Sequence, residues 1–262
     1  MKTLITHINP HLDDIFGIWL FRKFDHEFKD ANLEFISASR DADKQSEDKV
    51  FIGTGGGKFD EHKEGLETCA GTLVFEYLKE KGLIYSEKAL EKIVQWNQQI
   101  DTGKAPKNQI DEYSVQAWIR PLDSNAESSK KAVELGGEIL DRILEVLKRK
   151  EEALIDWEKR IEFESKFGKS YAVASETVDR AFCKQQGGDL FLMHDPKYNS
   201  VQFYSDKADL EPIYNKVKEL DPEASWFLHQ SHHMVICGSG SAPDSTPTKL
   251  SLEELIAVAK SV

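Results

Sequence analysis

A dense polar cluster between two apolar segments at the start of the chain constrains the fold most. Residues 3–5 predict a short buried strand, and residues 15–21 predict a helix packed on a sheet. Between them, two imidazoles and two carboxylates fall within eight residues, and they belong to His7, His11, Asp13 and Asp14. Ligands of open α/β sheets bind at the carboxyl ends of strands, so this pattern predicts an α/β fold with a site after its first strand.

Each of these four residues also has an ordinary structural interpretation. His7 is compatible with a capping or core histidine, and Asp13 is compatible with a charge that favours a helix N-terminus. Four such residues at one strand end nevertheless favour a metal site. Histidine and aspartate are ligand types that suit zinc, manganese or iron.

A second group of ligand-type residues, Asp60, Glu61 and His62, follows an apolar segment at 50–52 and a glycine-rich stretch at 53–57. The glycines fit neither a Walker loop, which needs Ser or Thr after its Gly-Lys pair, nor a dinucleotide fingerprint. They predict either a flexible turn or a loop whose backbone approaches a ligand closely. Further along, Asp101 precedes Gly103 and on its own is typical of a turn.

The second half of the chain has a different pattern of predicted elements, a long helical stretch followed by several strands. Residues 126–164 predict one long helix, or two in succession, bridging two domains. Several strands follow, including a hairpin at 190–204, and a capping box at Ser251 opens a final helix. We therefore predict an N-terminal parallel-sheet lobe, a helical connector and a smaller C-terminal mixed α/β lobe, with the boundaries 1–125, 126–168 and 169–262.

Composition excludes several classes of function. A net charge of −12 argues against a non-specific grip on duplex nucleic acid, yet it is compatible with a short anionic substrate at a bound metal. Three widely spaced cysteines without a CxxC pair predict reduced thiols in a cytoplasmic protein. We expect no signal peptide and no membrane helix, since no apolar run approaches about 20 residues. A homo-oligomer stays open.

In order along the chain, these motifs resemble the DHH phosphoesterase superfamily and, within it, the Myg (melanocyte proliferating gene) branch. The residues from Thr6-His7 to Asp14 are similar to the opening motif of that branch, Asp60-Glu61-His62 to its Asp-His-His, and Ile100-Asp101-Thr102-Gly103 to its Ile-Asp-Asn-Gly. Phe227-Leu228-His229 and Gly238-Ser239-Gly240 are similar in order to its later Phe-Val-His and glycine-rich turn. The likeness is specific over the first hundred residues and looser beyond.

The resemblance implies a metal-dependent phosphoesterase that hydrolyses phosphodiester bonds of nucleotides or short oligonucleotides. It implies a divalent metal, usually manganese, with zinc or magnesium as alternatives. The implied metal ligands are His7, His11, Asp13, Asp60, Glu61 and Asp101. The implied catalytic residues are His62, at the scissile phosphate, and Asp14. The implied substrate-binding residues, in a lobe across a cleft or beside the metal, are Lys63, His229, His232, Gly238, Ser239 and Gly240.

The sequence departs from the DHH pattern in two places. Glu61 replaces a histidine, which a hard cation tolerates because carboxylates suit manganese. Gly53 or Thr54 stands where the superfamily usually has an aspartate that bridges two metals. This second departure is compatible with three outcomes: a single bound metal, altered chemistry or an inactive protein.

Two other functions compete with the phosphoesterase. Pro10-His11-Leu12-Asp13-Asp14 also resembles the Pro-His-x-Asp-Asp motif of zinc-dependent sugar deacetylases. That resemblance implies zinc ligands at His11 and Asp14 and a base at Asp13, with a later histidine pair among His229, His232 and His233. It leaves His7, Asp60-Glu61-His62 and Asp101 unexplained. The third interpretation is a catalytically inactive DHH-like protein that binds a nucleotide or a metal.

Overall fold

A computed structural model describes residues 1–39, 46, 48–62, 67–85, 87–106 and 111–262. Its internal contacts divide the chain into two units, Met1–Leu147 and Lys148–Val262. Each unit combines a β-sheet with helices, the first sheet being parallel and the second mixed. The predicted α/β fold class, a parallel-sheet lobe followed by a mixed-sheet lobe, is therefore confirmed.

The first unit is built around a three-stranded parallel sheet. Its strands β1 (Thr3–His7), β2 (Asn32–Ile36) and β3 (Lys49–Phe51) lie in the order β2-β1-β3. The central strand carries Leu4 and Ile5, which are almost completely buried, as expected for a parallel strand covered on both faces. Because all three strands run the same way, the segments that follow β1 and β3 start at the same edge of the sheet.

Helices cover this sheet and form its core. They are α1 (Leu12–Phe24), α2 (Ala70–Glu80), α3 (Lys88–Asp101), α4 (Val115–Ile119) and the first part of α5 (Ala126–Trp157). The residues of α1 from Leu12 to Phe21 are all buried, so this helix packs on nearly every side. A Cβ at Gly71 would lie 2.5 Å from Phe16 Cδ1 and 3.2 Å from the Asp13 carbonyl oxygen. Gly71 therefore lets α2 pack closely against the first turns of α1.

The second unit contains a six-stranded sheet in the order β4-β5-β6-β7-β9-β8, in which only β5 and β6 run parallel. The strands are β4 (Ile161–Ser165), β5 (Gly168–Ala174), β6 (Leu190–Asp195), β7 (Ser200–Tyr204), β8 (Trp226–Leu228) and β9 (Met234–Cys237). The helices are α6 (Arg180–Cys183), α7 (Glu211–Leu220) and α8 (Leu252–Ser261). Successive side chains of a strand point to opposite faces, so Leu192 packs with α7 and α8, whereas Phe191 packs with Trp157.

The predicted helix over 126–164 is too long. Helix α5 ends at Trp157, and the next residues form β4, which pairs antiparallel with β5. Only Phe163 of β4 is buried, so this edge strand has little apolar signal of its own. The division between the two units falls at Leu147, within α5 and inside the predicted connector, 126–168.

Within the described ranges, no helix is both long and apolar enough to cross a bilayer. Cys69, Cys183 and Cys237 are all buried, and each is a free thiol.

Candidate metal centre

The turn between β1 and α1 brings two histidines and a carboxylate together. His7 ends β1, and Asn9 then adopts a left-handed conformation (φ +62°) that turns the chain toward α1. The backbone N–H of Asn9 donates to Ser129 Oγ at 3.1 Å, which fixes this turn against α5. His11 precedes the helix, and its backbone N–H donates to Asp14 Oδ2 at 2.8 Å, as in a capping box. The same oxygen lies 3.0 Å from His7 Nε2.

The ligand atoms of His7, His11 and Asp14 all lie within 4.8 Å of one another. Asp14 is only 1% exposed, and its Oδ1 has no hydrogen-bond partner among the described residues. His7 Nδ1 donates to the Ile8 carbonyl oxygen at 2.8 Å, and the hydrogen bond from Nε2 to Asp14 raises the pKa of His7 to about 9, although burial opposes this shift. Two imidazoles and a buried carboxylate with one unpartnered oxygen fit a divalent transition metal.

The Asp14 carboxylate occupies space that is free only because residue 53 is glycine. This glycine follows β3 with φ +62°, and a Cβ added to it would lie 1.7 Å from Asp14 Oδ1. Any side chain here would put its Cβ inside the Asp14 carboxylate, so residue 53 has to be glycine while Asp14 keeps this position.

Three further carboxylates surround the cluster of His7, His11 and Asp14. Burial raises the pKa of Asp13 well above its ordinary value, and the nearby charges of Asp14, Asp101 and Glu61 raise it further. Burial also raises the pKa of Glu61 to about 7, again with Asp14 and Asp101 contributing. The pKa of Asp101 is raised by burial and by Asp14, although His11 and His62 oppose the shift. Three carboxylates with raised pKa values beside Asp14 are an arrangement that a cation stabilises.

Asp60 has a different environment from these carboxylates. It accepts hydrogen bonds from the backbone N–H groups of Gly56, at 2.6 Å, and of His62, at 3.0 Å. Burial would raise the pKa of Asp60, but these bonds and His62 outweigh it and lower the pKa. Asp60 thus holds the loop that presents Glu61, whose Oε2 is buried without a partner in the described part of the chain.

His62 lies on the solvent side of this loop. Its side chain is 73% exposed, and Nδ1 lies 3.0 Å from Asp60 Oδ1 and 3.4 Å from Glu61 Oε1. Partial burial opposes protonation, but the two carboxylates raise the pKa of His62. The ligand atoms of Asp60, Glu61 and His62 form a second close group.

The structure does not bring the predicted substrate-binding residues together. Lys63 lies outside the described residues. His229 and His232 lie in the turn from β8 to β9, whereas Gly238-Ser239-Gly240 follows β9. Because β8 and β9 are antiparallel, these two segments lie at opposite ends of β9.

Each of these side chains or glycines also has a local partner. The backbone N–H of Ser231 donates to His229 Nδ1 at 3.1 Å, and His232 Nδ1 lies 3.1 Å from Asp209 Oδ1. A Cβ at Gly238 would approach the Asn199 carbonyl oxygen to 3.2 Å, so this glycine permits close packing on the turn between β6 and β7.

Sequence reasoning missed three polar residues beside the cluster. These residues are Asn97, Gln116 and Arg120. Together with His11, Asp13 and Asp101 they line a cavity of about 210 Å³. Asn97 is 1% exposed on the face of α3 that also buries Ile93 and Val94. A polar residue at core spacing on this face is the one signal that the sequence offered.

Comparison with known protein families identifies a family for the first unit. Residues 4–147, more than half of the chain, match the family model described as ChrB, C-terminal domain, and this match ends where the first unit ends. That family is not the Myg branch that the motifs resemble. No curated protein matches the sequence.

Two solved structures cover almost the whole chain at low similarity. One is an uncharacterized protein from Helicobacter pylori, with 10% identity, a TM-score of 0.27 and 99% of each chain covered. The other is the DHH domain of a member of a ribosomal protein family, with 14% identity, a TM-score of 0.32, and 99% of this chain and 86% of that chain covered. At these TM-scores neither likeness supports an assignment.

Proposed function

The chain belongs to the family of the ChrB C-terminal domain, and we propose that its first unit is a metal-dependent phosphoesterase. One observation carries the proposal: ligand atoms of His7, His11 and Asp14 converge within 4.8 Å at the carboxyl edge of the sheet, and the buried Asp14 carboxylate keeps one oxygen without a partner among the described residues. The absence of a side chain at Gly53 leaves the space that the unpartnered oxygen of Asp14 occupies. These features support a resident divalent cation, manganese first, with zinc or magnesium as alternatives.

The residues of this centre have separate roles in the proposed reaction. His7, His11 and Asp14 would hold the cation, with Glu61 and Asp101 adding carboxylate charge beside it. A bound divalent cation supplies Lewis acidity toward a phosphoryl oxygen and acidifies water.

Two side chains at the edges of the cluster serve proton transfer and charge. Asp13, which is buried and lines the neighbouring cavity, exchanges a proton with the reacting groups at its carboxyl oxygens. His62 is exposed beside Glu61, so its imidazolium offsets the negative charge of an arriving phosphate.

Small phosphodiesters are the substrate class that this proposal favours. The net charge of −12 disfavours a long, salt-dependent grip on a duplex, whereas a cation and His62 suffice for a single phosphodiester. We therefore propose nucleotides or short oligonucleotides as substrates.

The test is hydrolysis of a dinucleotide by the full chain after chelator treatment and reloading with manganese, zinc or magnesium. Asp14→Asn and His11→Ala should each lower the rate by at least about 100-fold, because they remove a metal ligand. Asp30→Asn and His26→Ala change the same residue types at exposed positions away from the cluster, and they should retain the wild-type rate. Unchanged hydrolysis in Asp14→Asn, or full metal binding without any phosphoester hydrolysis, would refute the phosphoesterase.

A second candidate is a zinc-dependent deacetylase, and one observation favours it. Asp14, not the adjacent Asp13, groups with His7 and His11. This grouping agrees with the roles that the Pro-His-x-Asp-Asp resemblance implies for His11 and Asp14. Release of acetate from an N-acetylated amino sugar by the zinc-loaded protein, with dinucleotides left intact, would establish the deacetylase in place of the phosphoesterase.

A further inference from the structure

A cavity of about 210 Å³ opens beside the candidate metal centre, within the first unit, and we refer to it as the side cavity. On one side it is lined by His11, Asp13 and Asp101 of the metal centre. On the other side it is lined by Asn97, Gln116 and Arg120. Its walls include the buried apolar side chains of Leu12 and Ile119. Apolar walls with a few convergent polar groups are typical of a small-molecule pocket.

Asn97 gives the side cavity an unsatisfied polar group. The residue is 1% exposed, and its Nδ2 donates to Cys69 Sγ at 3.2 Å. Its Oδ1 is buried and has no hydrogen-bond partner among the described residues. Buried amide oxygens are nearly always paired, so this oxygen points to a donor supplied by a ligand.

Arg120 supplies the positive charge that the metal centre lacks on this side. It directly follows α4, its side chain is exposed, and no described carboxylate pairs with it. Asp13 and Asp101, which line the same cavity, would repel an anionic ligand in the absence of a cation. A guanidinium at this position suits a phosphate group, which it contacts with two parallel N–H donors.

Gln116 provides a second amide. It is half-buried on α4, and it forms no hydrogen bond through its side chain with a residue that the structure describes. An amide offers one donor and one acceptor side by side, which match the edge of a nucleobase and, for Asn and Gln, adenine in particular.

We propose that the side cavity binds the adenine base of a nucleotide substrate, with Asn97 and Gln116 on the base edge and Arg120 on a phosphate. This inference rests on the proposed phosphoesterase function, because the same nucleotide presents its phosphodiester to the adjacent metal centre. It assigns three residues outside every recognised motif to substrate selection.

The test is equilibrium binding of AMP and of ribose 5-phosphate to the manganese-loaded full chain by calorimetry. Wild-type protein should bind AMP at least about tenfold more tightly than ribose 5-phosphate, the discrimination that one good amide–base pair provides. Gln116→Ala should lower AMP affinity toward that of ribose 5-phosphate while leaving ribose 5-phosphate and manganese binding unchanged. Arg120→Ala should weaken both ligands, and Arg142→Ala, an exposed arginine of α5 outside the cavity, should weaken neither.

Two results would overturn the inference even if dinucleotides are hydrolysed. One is equal affinity of wild-type protein for AMP and ribose 5-phosphate, and the other is unchanged AMP affinity in Gln116→Ala. A preference for another nucleoside monophosphate over AMP would overturn the assignment of adenine. Selective AMP binding without any hydrolysis would support the side cavity and refute the phosphoesterase, so the two proposals fail separately.

Discussion

Replacing Gly53 with alanine should destroy the candidate metal centre by displacing the Asp14 carboxylate. The new Cβ would lie 1.7 Å from Asp14 Oδ1 and 2.9 Å from its Cγ, distances that no packing tolerates. Asp14 cannot move without weakening its 3.0 Å contact with His7 Nε2 or its 2.8 Å hydrogen bond from the His11 backbone. The change therefore acts on the proposed metal ligands although residue 53 contributes no side chain.

The magnitude follows from two contributions to the free energy of unfolding. Alanine in the left-handed conformation of Gly53 costs about 1 to 2 kcal/mol. Losing one hydrogen bond to the buried Asp14 carboxylate costs about 1.5 to 3 kcal/mol more. The total is about 2.5 to 5 kcal/mol. Gly82→Ala isolates the first contribution, because Gly82 has φ +71° and no atom within 4 Å of the added Cβ.

Urea denaturation of the metal-free proteins and manganese titration by calorimetry measure the two effects. Gly53→Ala should be less stable than Gly82→Ala by the hydrogen-bond contribution, about 1.5 to 3 kcal/mol. It should also lose manganese binding, which Gly82→Ala should retain. Equal stability of the two variants, together with wild-type manganese affinity in Gly53→Ala, would refute the reasoning.

Further predictions concern other parts of the chain. Asp221 accepts hydrogen bonds from Lys249 N and Thr248 Oγ1, both at 2.8 Å, and its pKa is lowered chiefly by the bond from Lys249. The ionised form therefore contributes its full stabilisation above about pH 4, and this contribution is lost as the pH falls through the lowered pKa. Thermal denaturation should show a lower Tm for Asp221→Asn than for wild type at pH 7, and a smaller Tm difference in acid. Ser251→Ala removes the N-cap of α8 and should cost about 0.5 to 2 kcal/mol in urea denaturation, while Ser251→Asp should restore stability. Burial raises the pKa of Cys69 to about 11, so iodoacetamide at pH 8 should leave it unmodified until the protein is unfolded, as mass spectrometry would show; rapid native alkylation would contradict its environment.

The sequence was sufficient where neighbouring residues carry the information. The strand β1 and the helix α1 follow from an apolar run, a polar turn and a second apolar run, and the structure has both elements there. The hairpin predicted at 190–204 forms from β6 and β7. In each case, residues close in the chain contact one another, so local periodicity is enough.

Strands β4 and β5 show where local information ends. Residues 161–165 alternate apolar and charged side chains, but this strand signal is short, and Ile161 lies four residues after Trp157 and so continues the helical spacing of α5. What makes them a strand is the pairing of Ile161 with Ala172 and of Phe163 with Ser170 in β5. An exposed edge strand depends on its partner, and that partner is a tertiary feature.

In the candidate site, too, some residues are predictable from local spacing and others are placed only by the fold. His7, His11 and Asp14 come from one turn, and their spacing predicts a common site. Neighbouring residues of a helix point about 100° apart, so only the fold reveals that Asp14 and not Asp13 faces the histidines. Asp101 reaches the cluster through the packing of α3 on α1, and Arg120, the residue after α4, lines the same cavity. No sequence spacing encodes either position.

Manganese titration into the chelator-treated full chain, followed by calorimetry, tests the central claim most directly. A metal centre built from His7, His11 and Asp14 predicts saturable binding that Asp14→Asn and His11→Ala abolish and that the exposed control Asp30→Asn leaves intact. Zinc and magnesium titrated in the same way identify the preferred cation. Failure of all three cations to bind, or binding that survives Asp14→Asn with wild-type affinity, would contradict a metal centre at the carboxyl edge of this sheet.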